Sequence, residues 1–162
     1  RFFSTLMDTL GNAGYEHYEI SNFCRPGMYS RHNTSYWKGI PYLGCGPSAH
    51  SFNTDAREWN ISSLEDYIHS IENNHRRFEN EYLDRTTRYN ECIMTSIRTK
   101  RGLSLNDLER EFGKGLWQYC MNMARPHLDS GKLEIRDSHL CLTRKGIFVS
   151  DSIMSDLMFI ED

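Results

Sequence analysis

The fold of this chain is decided by the stretch Lys132-Leu133-Glu134-Ile135-Arg136-Asp137-Ser138-His139-Leu140-Cys141-Leu142. Apolar and polar residues alternate on both sides of Asp137-Ser138, which is typical of two strands joined by a tight turn. We therefore predict a hairpin with strands at 132–136 and 139–142. Thr143 follows directly and can cap a last helix, whose apolar positions are Ile147, Ile153 and Leu157.

Three helical patterns precede the hairpin. The first ends near Gly102, the second is short and capped by Ser104, and the third should kink or end early at Pro126, which lacks a backbone donor. Their apolar positions are, in order, Tyr89, Ile93, Met94 and Ile97; Leu105, Leu108 and Phe112; Leu116, Cys120, Met123 and Leu128. Helix, helix, helix, hairpin, helix predicts a winged-helix-like domain from about Arg85 onward, residues 85–162.

The other end of the chain has an α/β pattern. Apolar residues recur at helical spacing up to Gly11, after which residues 15–20 alternate as a short strand would. A helix leading into a strand is the repeating unit of an α/β layer. Residues 21–60 contain frequent Pro and Gly, which predicts mostly loop, with a strand near 49–53.

A connecting helix is predicted after residue 60. Ser62 and Ser63 offer hydroxyl caps, and one apolar stripe follows, made of Leu64, Tyr67, Ile68, Ile71 and Phe78. Residues 79–84 are charged and lack apolar periodicity, so we predict a linker there. The expected division is therefore 1–60, a connecting helix and linker at 61–84, and 85–162.

Composition describes a globular protein. With 162 residues, 38% of them hydrophobic, the chain can bury one modest core or two small ones. The pattern contains neither a membrane span nor a secretory leader. Five cysteines, odd in number and without a C-x-x-C pair, fit reduced thiols, so we expect a cytoplasmic protein. Because the chain opens on Arg1 inside a helical pattern, we also expect it to be a piece of something longer.

The charge pattern bears on nucleic-acid binding. A formal charge of −3, with acids and bases interleaved, argues against a one-signed basic face. A winged-helix pattern nevertheless keeps a DNA-binding module among the alternatives. Its third helix has Arg125 as a firm cation, with Lys114 just before it, and would neutralise few phosphates.

The most informative candidate site is the string Arg31-His32-Asn33-Thr34-Ser35-Tyr36-Trp37. An imidazole such as His32 can ligate heme iron, and Tyr36 and Trp37 offer flat faces to a porphyrin. Arg31 can pair with a propionate, and Asn33 can orient a ligand or the loop. The alternative is that both aromatic rings anchor a long loop and that His32 bonds to the backbone.

Two further candidates lie on either side of that string. The segment Tyr42 to His50 contains Gly44 and Gly46, whose backbone can approach a ligand closely, although a tight turn leading into a strand explains them equally well. Glu19 lies at the end of the strand predicted at 15–20, and α/β layers often bind ligands where their strands end. It could act as an acid or base only with a raised pKa and a partner.

Metal chemistry finds little support in the sequence. A four-iron cluster held through a C-x-x-x-C-x-x-C loop needs three clustered cysteines, and this chain has no such loop. Its cysteines, Cys24, Cys45, Cys92, Cys120 and Cys141, lie far apart. The histidines lack zinc-site spacing. We therefore predict no metal ligands and no catalytic residue within the chain.

A family resemblance is carried by Tyr18-Glu19-Ile20-Ser21-Asn22-Phe23, Pro26-Gly27, Ser30-Arg31-His32-Asn33 and Tyr36-Trp37. In this order they resemble the later part of the oxygen-independent coproporphyrinogen III oxidase family of radical S-adenosylmethionine (SAM) proteins. The string His-Asn-x-x-Tyr-Trp is similar to that of its heme-chaperone branch, often called HemW. The resemblance covers most of the chain.

The resemblance implies a fold and a set of ligands. Residues 1–60 would be the last segment of a partial (β/α) barrel, and 85–162 the family's C-terminal domain. Heme would contact His32, Asn33, Tyr36, Trp37 and Arg31. The adenosyl end of SAM would lie near Gly44, Gly46, Ala49 and His50, whereas the four-iron four-sulfur cluster would be held upstream of Arg1.

The resemblance also implies functions. The first is a heme chaperone that binds heme and delivers it to an apoprotein, and the second is the oxidative decarboxylation of coproporphyrinogen III to protoporphyrinogen IX. A DNA-binding module is a third alternative, which the winged-helix pattern suggests and the resemblance does not. The chain alone should be catalytically inactive, and we expect it to self-associate, because the strand at 15–20 would expose unpaired backbone.

Overall fold

The computed structural model describes residues 1–160. Within them lie seven helices: α1 Phe2–Asn12, α2 Arg31–Trp37, α3 Leu64–Glu72, α4 Arg85–Ile97, α5 Leu105–Asp129, α6 Arg144–Ile147 and α7 Ser150–Leu157. The strands are β1 Glu16–Glu19, β2 Asn22–Cys24, β3 His50–Phe52, β4 Ala56–Asn60, β5 Phe78–Tyr82, β6 Leu103–Ser104, β7 Leu133–Arg136 and β8 His139–Leu142. They form three small antiparallel sheets, β1-β2, β3-β4-β5 and β6-β8-β7. The fold is therefore mixed α+β.

The chain divides into two compact units. The first joins Arg1–Trp37 to the chain from Arg85 onward, and the second is Lys38–Asp84. The predicted boundary after residue 84 coincides with a border between the units, whereas the one after residue 60 lies inside the second unit. The assignment of residues 1–60 to a barrel stays a prediction.

The core of the first unit lies between α4, α5 and α7. Its fully buried side chains include Tyr89, Ile93 and Ile97 on α4 and Ile153 and Leu157 on α7. The hydroxyl of Tyr89 donates to the carbonyl of Leu157 at 3.0 Å, so the one polar group of this ring is satisfied inside the core. Most predicted apolar positions are confirmed. Two were wrong, since the side chains of Met94 and Met123 are exposed.

The predicted hairpin is confirmed. β7 and β8 pair antiparallel, with Arg136 opposite His139, and β6 adds a third strand through Leu103 and Leu140. Asp137 and Ser138 have φ of 48° and 60°. Two successive residues with positive φ form the tight turn whose twist matches that of the flanking strands.

The helices before the hairpin agree with the prediction in one place and differ from it in another. The predicted break between the two helices from Ser104 onward is present within α5, because Gly113 (φ 71°, ψ 173°) departs from helical geometry. An early end at Pro126 was wrong, because α5 continues to Asp129. Proline costs the helix one backbone bond, and Ala124 and His127, both buried, hold the last turn against the core.

The final helical segment also differs. Thr143 caps it as predicted, since its hydroxyl accepts from the amide of Gly146 at 3.1 Å. The segment then breaks after Ile147, and α7 begins at Ser150. One predicted helix is therefore two short ones.

The second unit contains α3 and the sheet β3-β4-β5. Ser63 caps α3, with its hydroxyl accepting from the amide of Asp66 at 3.3 Å. The linker predicted at 79–84 was wrong, because Phe78–Tyr82 is strand β5, paired along its length with β4. All five residues of β5 are exposed, so no alternation of burial marks this strand in the sequence. The strand near 49–53 is confirmed as β3.

The strand predicted at 15–20 is confirmed as β1, but its backbone is not left open. β2 pairs with it on one side. The amide of Ile20 donates to the carbonyl of Arg98 at 2.9 Å, and the amide of Lys100 donates to that of Tyr18 at 3.0 Å. Self-association stays a prediction, with less support from this strand. None of the helices in the described part of the chain is long and apolar enough to cross a membrane.

Candidate functional site

The string with His32 forms a short helix, α2, where the sequence predicted loop. Ser30 starts it: its hydroxyl accepts from the amide of Asn33 at 3.3 Å, and its carbonyl accepts from the hydroxyl of Thr34 at 2.6 Å. The hydroxyl of Ser35 donates back to the carbonyl of Arg31 at 2.9 Å. α2 has seven residues and none is buried, so it carries no apolar periodicity for sequence reasoning to detect.

His32 and Tyr36 lie one helical turn apart on the same face of α2. The hydroxyl oxygen of Tyr36 is 3.2 Å from Nε2 of His32, and the two rings meet edge to face with centroids 4.9 Å apart. Both residues are exposed, Tyr36 to 41%. The imidazole therefore contacts a phenol at the surface, and the alternative of a buried anchor does not describe this pair.

Trp37 does act as an anchor in part. It is half-buried, and its ring lies edge-on to Tyr18 at a centroid distance of 5.8 Å. Tyr18 is buried and also contacts Tyr29 edge to face. The hydroxyl of Tyr29 donates to Glu16 at 2.5 Å, and this carboxylate raises the pKa of Tyr29.

The two other predicted heme contacts also lie on α2. Arg31 is exposed, as a group that pairs with a propionate has to be. Asn33 is half-buried and its backbone amide takes part in the cap described above. The contact of these residues with heme stays a prediction.

Glu19 has a structural environment instead of a catalytic one. Its buried carboxylate accepts from the amide and hydroxyl of Ser21, both at 3.0 Å, from the side-chain amide of Asn22, and from Nε of Arg98 at 2.6 Å. Burial alone would raise its pKa, but the hydrogen bonds from Asn22, Ser21 and Arg98 outweigh it and lower the pKa. A carboxylate held ionised by four donors is a poor acid or base, so the acid or base role considered for Glu19 was wrong.

The glycine-rich turn in the second unit is held by a residue that the sequence did not single out as a site residue. Asn60 is buried, and its Nδ2 donates to the carbonyls of Gly44 at 3.2 Å and Gly46 at 2.8 Å. Its Oδ1 accepts from Nε of Arg76 at 2.8 Å. The amide of Gly46 donates to the hydroxyl of Tyr67 at 3.0 Å. A single polar residue at the end of a strand carries no sequence signal that would have marked this role of Asn60.

Packing within the turn explains its glycines. A Cβ on Gly44 would lie 2.1 Å from the carbonyl oxygen of His50, and Gly46 has φ of 111°, which favours glycine. His50 is exposed, and its ring is tilted against Trp59 with centroids 5.8 Å apart. The turn therefore needs no ligand to account for it. Contact of Gly44, Gly46, Ala49 and His50 with SAM stays a prediction.

The residues described here do not fit an iron–sulfur cluster. Cys24, Cys120 and Cys141 are buried, and Cys45 is exposed on the glycine-rich turn. Burial raises the pKa of Cys120 to about 11 and also raises the pKa of Cys92 and Cys141, which disfavours the thiolates that bind metal. No group of three or more potential ligands comes together in residues 1–160.

Comparison with known proteins gives one family match and several relatives. Residues 83–149 match the family model of the HemN C-terminal domain. Over 153 residues, 92% of its length, the chain is 30% identical to the heme chaperone HemW of Mycobacterium tuberculosis (strain CDC 1551 / Oshkosh) and spans 36% of that relative. A Mus musculus relative is 54% identical over 41 residues, 25% of this chain and 9% of its own. Its name is radical S-adenosyl methionine domain-containing protein 1, mitochondrial.

Among solved structures, the fold is similar to that of coproporphyrinogen III oxidase (HemN) from Escherichia coli, a radical SAM enzyme. The TM-score is 0.71 at 17% identity, over 96% of this chain and 40% of that one. Fold and comparisons together define the class: a chain with the mixed α+β fold of the C-terminal region of HemN. Over most of its length its homologues are HemW heme chaperones, which confirms the resemblance predicted from the sequence.

Proposed function

We propose that this chain is the heme-binding C-terminal part of a radical SAM heme chaperone, and that the whole protein delivers heme to an apoprotein. One observation carries the proposal: His32 and Tyr36 are exposed together on one face of α2, within the string His-Asn-x-x-Tyr-Trp. Homology to HemW heme chaperones over 92% of the chain supports it.

The residues of α2 supply the chemistry that a porphyrin needs. His32 and Tyr36 offer a nitrogen and an oxygen to the iron. Trp37 keeps part of its ring accessible while its contact with Tyr18 fixes its orientation, and Arg31 neutralises a propionate. The side chain of half-buried Asn33 is proposed to orient the ligand, while its backbone amide donates to the hydroxyl of Ser30.

The proposal assigns radical SAM chemistry to the whole protein. SAM and a four-iron four-sulfur cluster would generate a radical there, and the cysteines of this chain do not hold that cluster. Gly44, Gly46, Ala49 and His50 are proposed to lie near the adenosyl end of SAM. We expect this chain by itself to have no catalytic activity, and its cytoplasmic location stays a prediction.

Heme titration tests the proposal. Ferric heme added to the protein should shift the Soret absorbance with a one-to-one stoichiometry, and His32→Ala should weaken binding by about tenfold or more, because a base next to the iron is lost. His69→Ala is a matched control, since His69 is also exposed on a helix and its imidazole Nδ1 lies 3.4 Å from the side-chain nitrogen of Asn73, one turn on.

Two outcomes would count against a heme site on α2. One is the absence of a saturable Soret shift in the unsubstituted protein. The other is equal weakening by His32→Ala and His69→Ala, which would mean that heme adsorbs to the surface at large.

Two other functions remain as alternatives. The fold of HemN favours a whole protein that decarboxylates coproporphyrinogen III; conversion of this substrate by the protein with cluster, SAM and reductant would support it.

A DNA-binding module has weaker support. Within residues 114–128, the helix region that would face DNA, the exposed cations are Lys114 and Arg125. Salt-dependent retention on DNA would favour it.

A further inference from the structure

We propose that the phenolate oxygen of Tyr36 is the ligand of ferric heme iron and that His32 is the base that takes the phenolic proton. This inference rests on the proposed function and assigns roles within the same site. It starts from the contact between the two side chains, whose rings meet edge to face with 3.2 Å between the hydroxyl oxygen and Nε2.

The contact changes which atom is available to iron. Nε2 is the outer nitrogen of the imidazole and the one a bulky macrocycle reaches most easily, but here it faces the hydroxyl of Tyr36. Ligation by Nε2 would break this hydrogen bond. Ligation by the Tyr36 oxygen preserves the hydrogen bond, because this oxygen can bind iron through one lone pair and accept from Nε2 of His32 through another.

The phenolic proton must leave as the iron–oxygen bond forms. The O–H bond of Tyr36 breaks, the proton passes to Nε2 of His32, and the oxygen donates an electron pair to Fe(III). Phenol and imidazole become phenolate and imidazolium, so the net charge of the pair is unchanged and iron keeps its oxidation state. The resulting bond between imidazolium and phenolate is charge-assisted.

Release runs the same steps backwards. The imidazolium returns its proton to the phenolate oxygen, and the iron–oxygen bond breaks as the neutral phenol re-forms. Tyrosinate is an established type of heme ligand. Since a neutral phenol binds iron weakly, a ligand that can be reprotonated across one hydrogen bond suits a protein that has to give its heme away.

The spectrum of the heme complex tests the assignment. With ferric heme bound, the protein should show resonance Raman bands of an iron-bound phenolate. Tyr36→Phe should abolish these bands and weaken binding by about tenfold, whereas His32→Ala should retain them with weaker binding. Tyr82→Phe, which removes the hydroxyl of another exposed tyrosine, should leave both bands and affinity unchanged.

The outcomes separate this inference from the function it rests on. If the unsubstituted protein binds heme, and Tyr36→Phe keeps its spectrum while His32→Ala changes it, then His32 is the ligand and the inference is overturned, although heme binding stands. If the unsubstituted protein binds no heme, the proposed function fails as well. Far-ultraviolet circular dichroism of each variant shows whether the fold is retained.

Discussion

At the scale of single residues, Glu19 and Asn60 are buried polar groups whose hydrogen bonds hold backbone segments in place. Each is buried, and each joins backbone segments: Glu19 ties the β1–β2 turn to Arg98, and Asn60 ties two carbonyls of the glycine-rich turn to β4. Removing one partner of a buried, hydrogen-bonded charge leaves the others unsatisfied, which costs more than the bond itself contributes.

We predict that Glu19→Gln lowers the free energy of unfolding by about 2–4 kcal/mol at pH 7, because an amide cannot accept from all four donors. The folded state lowers the pKa of Glu19 below its ordinary value of 4.5. Its contribution is therefore complete above pH 4.5 and is lost as the pH falls through the lower, folded-state pKa. Urea unfolding at neutral and acidic pH measures the difference between the two proteins.

A matched control is Glu109→Gln, which changes an exposed glutamate of α5 in the same unit. It should leave the unfolding free energy within about 0.5 kcal/mol of the original. Equal stability of Glu19→Gln and the unsubstituted protein at pH 7 would show that the hydrogen bonds of Glu19 contribute nothing net.

At the scale of elements, local sequence signals predicted the helix caps and the hairpin, because neighbouring residues determine both. Ser63, Ser104 and Thr143 cap helices as expected, since capping depends on one hydroxyl and the next three residues. The hairpin was predictable because Leu133 and Leu140 alternate with polar residues and are buried. α2 and β5, whose residues are all exposed or half-buried, have no apolar periodicity in their sequence and were missed.

The sequence pointed to the residues of the candidate site but not to their geometry. The residue types of the string around His32 and the family resemblance indicated a porphyrin contact, which stays a prediction. The sequence could not show that His32 faces Tyr36, because residues four apart meet only in a helix and this stretch was predicted as loop. Nor could it show the four donors around Glu19, since Arg98 lies far away in the sequence.

The break in α5 leads to a prediction with an internal control. Gly113 has φ of 71° and ψ of 173°, a region that side chains strongly disfavour, so Gly113→Ala should destabilise the protein by about 1–3 kcal/mol. Gly115 lies two residues on, in helical conformation with open space where a Cβ would be, so Gly115→Ala should stabilise it by up to about 1 kcal/mol. Thermal unfolding compares the two variants, and the same sign of effect for both would contradict the kink.

At the scale of the whole molecule, α1 is fastened to the end of the chain that folds around α4, α5 and α7. Arg144 on α6 forms a bidentate ion pair with Asp8 on α1, with N–O distances of 2.5 and 2.8 Å, and also donates a hydrogen bond to the hydroxyl of Ser4. Phe3 contacts Phe148 edge to face. The first unit is therefore assembled from both ends of the described chain.

Self-association is the prediction that belongs to this scale. Several large apolar side chains are exposed, Phe2 to 95% and Tyr82 to 79%, although the strand first suspected of pairing is covered. We expect sedimentation velocity to show a weight-average mass that rises with concentration. A single monomeric species over a hundredfold range of concentration would contradict this expectation.

The turn that carries Gly44 and Gly46 also provides a practical handle. Of the five thiols only Cys45 is exposed, while its neighbours in the turn are pinned by Asn60 and Tyr67. A thiol-reactive fluorophore should therefore modify this position selectively under native conditions. The fluorophore on Cys45 would then sit on a turn that hydrogen bonds hold in place. A change in its fluorescence anisotropy on addition of SAM or heme would report a change at that turn.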